Sequence, residues 1–309
     1  MTQTPATQPS RLRICLEAVP LAALVVVLVL WAQIGTVVNG ANARRDTIGT
    51  VPLQTLRAQS ATQLSRQLAQ RDYQWPPRGV PALALQALPH DLDQLPVADK
   101  KRVFLQSLLP LVLAENRRVA AERQFVQQAL ADWPLPEGQR RARLKRLAAR
   151  YQVKGDLEDE PVRRRLLRRV DQVPPALALA QAANETGWGT SRFAREANNL
   201  FGQWTYDASE GLVPKDRAEG KSHYVRRFSD LRASVRGYLR NLNTHPAYRG
   251  LRERREQLRN QRRPLDALEL AAGLQAYSER GMDYVEDIRA MIRHNDLQRL
   301  AGAELRPSG

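Results

Sequence analysis

Apolar positions change their spacing several times along the chain, and each change marks an element. Between Ala18 and Ala43 there is no charged side chain, and the stretch from Pro20 to Ala32 is almost wholly Leu, Val and Ala. About 20 apolar residues cross a bilayer as a helix. With Arg11 and Arg13 in front of it, the pattern predicts a cytoplasmic or n-region over 1–17 and a transmembrane anchor over 18–40. The competing reading is a signal peptide cleaved after Ala41-Asn42-Ala43, but the run from Trp31 to Ala43 is long for a cleavage region.

Residues 41–98 read as a juxtamembrane helix followed by a linker. Leu53, Leu56, Leu64 and Leu68 punctuate a polar stretch, and then five prolines (Pro76, Pro77, Pro81, Pro89, Pro96) break any helix. A helical lead-in covers 99–170. Its first helix carries Phe104, Leu108, Leu111 and Val112 on one face, with Pro110 expected to kink or divide it. A second carries Leu144, Leu147 and Tyr151, and a third starts at Pro161 with five arginines around Leu166, Leu167 and Val170. Those arginines suit a solvated basic face, or the rim of a groove for a polyanion.

From 171 to 298 the pattern is that of a separate domain, with a tail over 299–309. Pro174 and Pro175 open a helix that is apolar almost all round, hence buried, and Gly187 is placed to cap its end. Trp204 to Phe228 contains Gly211, Gly220 and an alternating run from Ser222, the pattern of a β-hairpin flap. Ser229 is expected to cap a helix with Leu231, Val235, Tyr238, Leu239 and Leu242 on one face, followed by a loop over 241–248. The last helix buries Val285, Ile288, Met291 and Ile292. The fold class is α+β, mostly α.

Charge and chemistry narrow the function. There are 48 basic and 32 acidic residues in 309, a net charge of +16. An exported domain of that charge suits an anionic envelope polymer better than nucleic acid. The single Cys15 excludes a disulfide framework, and the four histidines are dispersed without metal-ligand spacing, so no metal or organic cofactor is expected. Glu185 falls in the last turn of the buried helix, beside Trp188. The negative end of the helix dipole and an apolar wall both favour the protonated carboxyl. A proton held near neutral pH is what a general acid needs, although an ion pair with an arginine fits the sequence too.

The run Ala180-Gln-Ala-Ala-Asn-Glu185-Thr-Gly-Trp-Gly189, followed by Asn199-Leu-Phe-Gly202, resembles the signature of endo-β-N-acetylglucosaminidase-type peptidoglycan hydrolases. Gly211-Leu-Val-Pro214, Glu219-Gly-Lys221 and Asn241-Leu-Asn-Thr-His-Pro-Ala-Tyr248 are similar to the Bax-type branch of that family. The resemblance covers residues 173–297, and towards that branch it starts near Asp99. It implies a lysozyme-like glucosaminidase domain acting on peptidoglycan glycan strands, with Glu185 as the general acid. It also implies a flap glutamate that activates water, for which Glu219 is the positional match over Asp207, Glu210 and Asp216, and a functional tyrosine at Tyr277. Asn199 belongs to the signature and is expected at the substrate. Trp188, Phe201, Trp204, Tyr224 and Tyr248 are candidate sugar platforms, each equally compatible with a place in the core. A lytic transglycosylase and a non-catalytic glycan-binding or scaffolding protein remain as alternatives. The implied location is the inner membrane, single-pass, with the catalytic domain in the periplasm, or a soluble periplasmic protein after cleavage near Ala43.

Overall fold

The computed structural model describes residues 50–213 and 224–306. The expected anchor over 18–40, and Asp216 and Glu219 of the flap, lie outside the described residues. Among the described residues, no helix is long and apolar enough to cross a membrane.

The chain is mostly helical, in the order β1 (Gln54–Leu56), α1 (Ala61–Ala69), β2 (Leu83–Leu85), α2 (Val97–Ala131), α3 (Gln139–Arg150), α4 (Glu160–Arg169), α5 (Pro175–Thr186) and α6 (Arg192–Ala197). Then come β3 (Trp204–Thr205), β4 (Gly211–Leu212), β5 (Tyr224–Arg226), α7 (Leu231–Thr244), α8 (Arg249–Asn260), α9 (Ala267–Ala271) and α10 (Met282–His294).

Helix α2 organises the core. It runs for 35 residues, about 50 Å at helical rise, and residues 103–116 are buried without interruption. Pro110 neither divides nor ends it. Proline costs one backbone hydrogen bond, and burial of Leu108, Leu109, Leu111 and Val112 on all sides offsets that loss.

The proline-rich stretch is not a linker and no stalk is built from it. Leu56, Leu64, Leu68, Tyr73, Val80, Leu83, Leu85, Leu88 and Leu92 all enter the core cluster that holds α2 and α5. Strands β1 and β2 pair in parallel, Gln54 with Leu83 and Leu56 with Leu85. Ser60 caps α1, and Asp91 Oδ1 accepts from the Ala61 amide at 2.8 Å. Val80 bridges Leu305, so the beginning and the end of the described chain close on each other. Prolines here exclude helix without excluding burial.

A smaller core joins the end of α2 to α3 and α4 through Val126, Leu144, Leu147, Tyr151, Val162 and Leu166. Part of the arginine surplus is spent inside. Glu115 on α2 receives Arg118, Arg232 and Arg236. Glu122 receives Arg118 and Arg150, each at 2.7 Å. Asp171 receives Arg259 at 2.8 Å, while the buried Arg255 donates to the Asp171 and Gln172 carbonyls and to Asn243 Oδ1.

Helix α5 is buried from Ala176 to Ala183 and ends at Gly187, whose φ of +54° is the left-handed cap expected from the sequence. Helix α7 is capped by Asp230 rather than Ser229: the Asp230 carboxylate accepts from the Ala233 amide at 2.7 Å. It also continues through Thr244, with a turn of 3-10 helix at Pro246–Tyr248 where a loop was expected. The flap strands form an antiparallel sheet in the order β3-β5-β4, pairing Trp204 with Val225 and Gly211 with Arg226. A Cβ at Gly211 would stand 2.3 Å from that of Tyr224, so only glycine fits there.

Candidate active site

The Thr-Gly-Trp-Gly run after Glu185 is a folded device. Gly187, Trp188 and Gly189 have φ of +54°, +62° and +83° in succession. Thr186 Oγ1 donates to the Ala182 carbonyl at 2.6 Å and accepts from the Gly189 amide at 2.8 Å, closing the turn. A Cβ on Gly189 would lie 2.8 Å from Leu88 and 2.9 Å from Phe104. Trp188 is a non-glycine residue in the left-handed region, a conformation that costs about 1–3 kcal/mol and persists only where its surroundings impose it. The turn stops α5 abruptly and leaves Glu185 half-buried at the helix end.

The carboxyl is held by an ordered chain of hydrogen bonds. Tyr284 on α10 donates from its phenol to Glu185 Oε1 at 2.8 Å. Gln181, one turn earlier on α5 and fully buried, donates from Nε2 to the Tyr284 oxygen at 2.9 Å. Tyr238 on α7 donates to Gln181 Oε1 at 2.7 Å. The donor direction runs from Tyr238 to Gln181 to Tyr284 to Glu185. Oε1 is thereby occupied. Near Oε2 is Gly202, where a Cβ would stand 3.6 Å from that oxygen and φ is +62°; the backbone after Phe201 thus passes beside the carboxyl.

Burial pushes the Glu185 carboxyl above its ordinary range, against hydrogen bonds from Tyr284 and Asn184 that pull it down. Among the described residues no arginine pairs with Glu185, so none of them supplies the ion pair that the sequence also allowed. Burial also raises the neighbouring phenols, with the Glu185 charge adding to the effect: Tyr284, Tyr277 and Tyr238 go well up, and Tyr248 is pushed up to about 12. All four remain donors at neutral pH.

The other expected residues divide into three groups. Tyr277 stacks parallel to Tyr284 at 5.4 Å and donates its hydroxyl to the Phe201 carbonyl at 2.8 Å. In this structure it braces the loop beside Glu185, and its hydroxyl is committed to backbone. Asn199, expected at the substrate, is only 1% exposed. Its amide nitrogen donates to the Gln203 and Arg226 carbonyls and its oxygen accepts from the Phe201 and Gln203 amides. Asn199 therefore shapes the loop that carries Gly202. Phe201 is buried and stacked on Tyr238 at 3.9 Å, and Tyr248 is buried with its ring tilted against Tyr277 at 5.7 Å. Both are packed aromatics rather than platforms.

Trp188, Trp204 and Tyr224 are surface-accessible: Trp188 is half-buried against the Phe104 edge, Trp204 is 61% exposed on β3, and Tyr224 is half-buried on β5. Of the flap acids that are described, Asp207 is used by the Ser209 amide and hydroxyl, and Glu210 pairs with Arg226 at 3.3 Å.

Sequence reasoning missed Tyr284 and Gln181. Tyr284 falls on the buried stripe of the last helix with Ile288 and Ile292, and a hydroxyl on such a stripe needs a buried partner; that was the available signal. Among the described residues, no cluster of three His, Cys, Asp or Glu could hold a metal ion.

An acid at a helix end, raised by burial and oriented by a buried phenol, has the surroundings a general acid needs. The glucosaminidase family, described as mannosyl-glycoprotein endo-beta-N-acetylglucosaminidase, matches residues 163–297. The chain is 38% identical over 210 residues to Protein bax of Escherichia coli (strain K12), covering 67% of this chain and 73% of that protein. No solved structure matches. The chain belongs to the glucosaminidase family, which implies glycoside-hydrolase chemistry on a glycan.

Proposed function

We propose that the protein is a peptidoglycan hydrolase that cleaves the β-1,4 bond after N-acetylglucosamine, with Glu185 as general acid. The observation that carries this reading is the placement of one half-buried, raised carboxyl at the end of α5, with Oε1 fixed by Tyr284. With Oε1 accepting from the phenol, the proton of the acid form rides on Oε2. It passes to the glycosidic oxygen as the C1–O bond breaks and an oxocarbenium-like centre develops. The carboxylate left on Glu185, as the sugar hydroxyl departs, is stabilised by the phenol that donates to it. Water completes the reaction at C1, and Glu219 of the flap is our candidate for activating it. Trp188, Trp204 and Tyr224 offer rings against which sugar C–H faces pack.

The uncharged segment 18–40 supports a single-pass inner-membrane protein whose catalytic domain faces the periplasm, where peptidoglycan lies. Fractionation of the native protein with membranes, and N-terminal sequencing that begins near Met1, test that placement; a mature chain starting at Arg44 contradicts it.

The reaction is tested by mass analysis of muropeptides after digestion of purified sacculi. Reducing N-acetylglucosamine ends are expected. Anhydro ends would point to a lytic transglycosylase, and the absence of product to a binding protein.

A further inference from the structure

At the end of α5 that carries Glu185, residues of α2, α5 and α10 line an open cavity of about 300 Å³. Its floor and walls include Lys101, Asn184, Trp188, Met291, His294 and Asn295. Lys101 stands outside the residues matched by the family model, so the earlier helix adds this wall to the domain.

Three features define what the cavity accepts. The first is a cation without a carboxylate: among the described residues Lys101 forms no ion pair, and its ammonium lies 4.8 Å from the Trp188 ring centre and 3.3 Å from Asn295 Oδ1. The one acidic wall residue, Asp287, is neutralised by Arg280 at 2.7 Å. An ammonium in contact only with a ring and an amide retains donors for an incoming anion. The second is a mixed wall, where Ala290 and Met291 present methyl-sized apolar surface beside amide groups. The third is contiguity with the reacting centre. Asn184, which lines the cavity, directly precedes Glu185 in the last turn of α5.

We propose that this cavity is a subsite for the carboxylate-bearing lactyl-peptide arm of the N-acetylmuramic acid next to the cleaved bond, with Lys101 as its countercharge. The inference rests on the peptidoglycan reading of the Glu185 site. In a strand of alternating sugars, cleavage after N-acetylglucosamine places a muramic residue directly beyond the acid. Its lactyl and alanyl methyls suit Ala290 and Met291, its peptide groups suit the amides, and its carboxylate suits Lys101. A homopolymer of N-acetylglucosamine has no such arm and leaves the cavity empty.

The test is binding, measured by calorimetry on the full-length chain carrying Glu185→Gln so that no turnover intervenes. Two probes are compared: a peptide-bearing peptidoglycan tetrasaccharide and chitotetraose. The parent is expected to prefer the first. Lys101→Met should weaken that probe by about tenfold, the loss of one charge-assisted contact, and leave chitotetraose unchanged, while Lys101→Arg keeps the preference. Equal weakening of both probes by Lys101→Met would mean that the lysine only supports Trp188, and overturns the proposal. So does a parent without preference, or a Lys101→Met variant with unchanged affinities. A parent that binds neither probe removes the glycan reading of the site and the subsite with it. A parent that shows the preference, although the native enzyme yields no reducing ends from sacculi, removes the hydrolytic reading alone.

Discussion

Tyr284 and Glu185 are 99 residues apart in sequence, and the phenol of the first donates to Oε1 of the second at 2.8 Å. That bond occupies one oxygen of the carboxyl, and it is itself backed by Gln181 and Tyr238 behind it.

Tyr284→Phe removes the donor and keeps the ring stacked on Tyr277. The hydrogen bond pulls the carboxyl down, so its loss raises Glu185 further. A general acid works while protonated, so the falling limb of the pH–rate profile should move to higher pH. Turnover should drop by about tenfold as orientation is lost, the equivalent of one hydrogen bond. A profile that does not move, with unchanged turnover, would leave Tyr284 a packing residue.

Glu185→Gln should stabilise the protein at neutral pH. The folded carboxyl titrates above its ordinary value of 4.5. A group raised in this way contributes stability below its unfolded value and loses it as the pH rises through the folded value. The wild type at neutral pH carries that loss, and the amide does not. The melting temperature of the variant should exceed that of the parent near pH 7, and the gap should narrow at pH 4. A variant less stable than the parent at neutral pH would contradict the burial argument.

Glu115 tests the arginine network. Burial alone would push its carboxyl up, but Arg236, Arg118 and Arg232 outweigh burial and hold it at about 2. Its contribution is therefore present above the ordinary 4.5 and lost as the pH falls from there towards about 2. Glu115→Gln should cost about 3–5 kcal/mol at pH 7, as expected on removing one partner of a buried ion cluster, and far less near pH 2. Denaturant melts at the two pH values measure this directly.

What the sequence could and could not reveal divides along physical lines. Glu185 was legible because local rules place it: two prolines start α5, Gly187 stops it, and the acid falls in the last turn. Tyr284 was not, since its role depends on a partner far along the chain and its spacing is that of an ordinary core residue. Pro110 was expected to kink or divide α2, and within the core the helix continues through it undivided. The proline-rich stretch showed that residues 75–96 form no α-helix. It could not show that Leu83, Leu85, Leu88 and Leu92 point into the same core as α2, because burial is decided by tertiary pairing. The arginines around Leu166 and Leu167 read as a solvated face, and Arg164 and Arg165 are exposed there; that Arg118 and Arg255 meet buried oxygen atoms was not legible, since only the folded chain brings these together.

The central claim is that Glu185 supplies the proton for glycosidic cleavage. The most direct measurement is the rate at which reducing N-acetylglucosamine ends appear when purified sacculi are digested by the parent and by Glu185→Gln, both verified as folded by thermal melting. Loss of a positioned acid costs about 10²–10⁴-fold, and the amide, which still accepts from Tyr284 but has no proton to give, should lose at least that much. Digestion by Glu185→Gln at the parental rate would contradict the account.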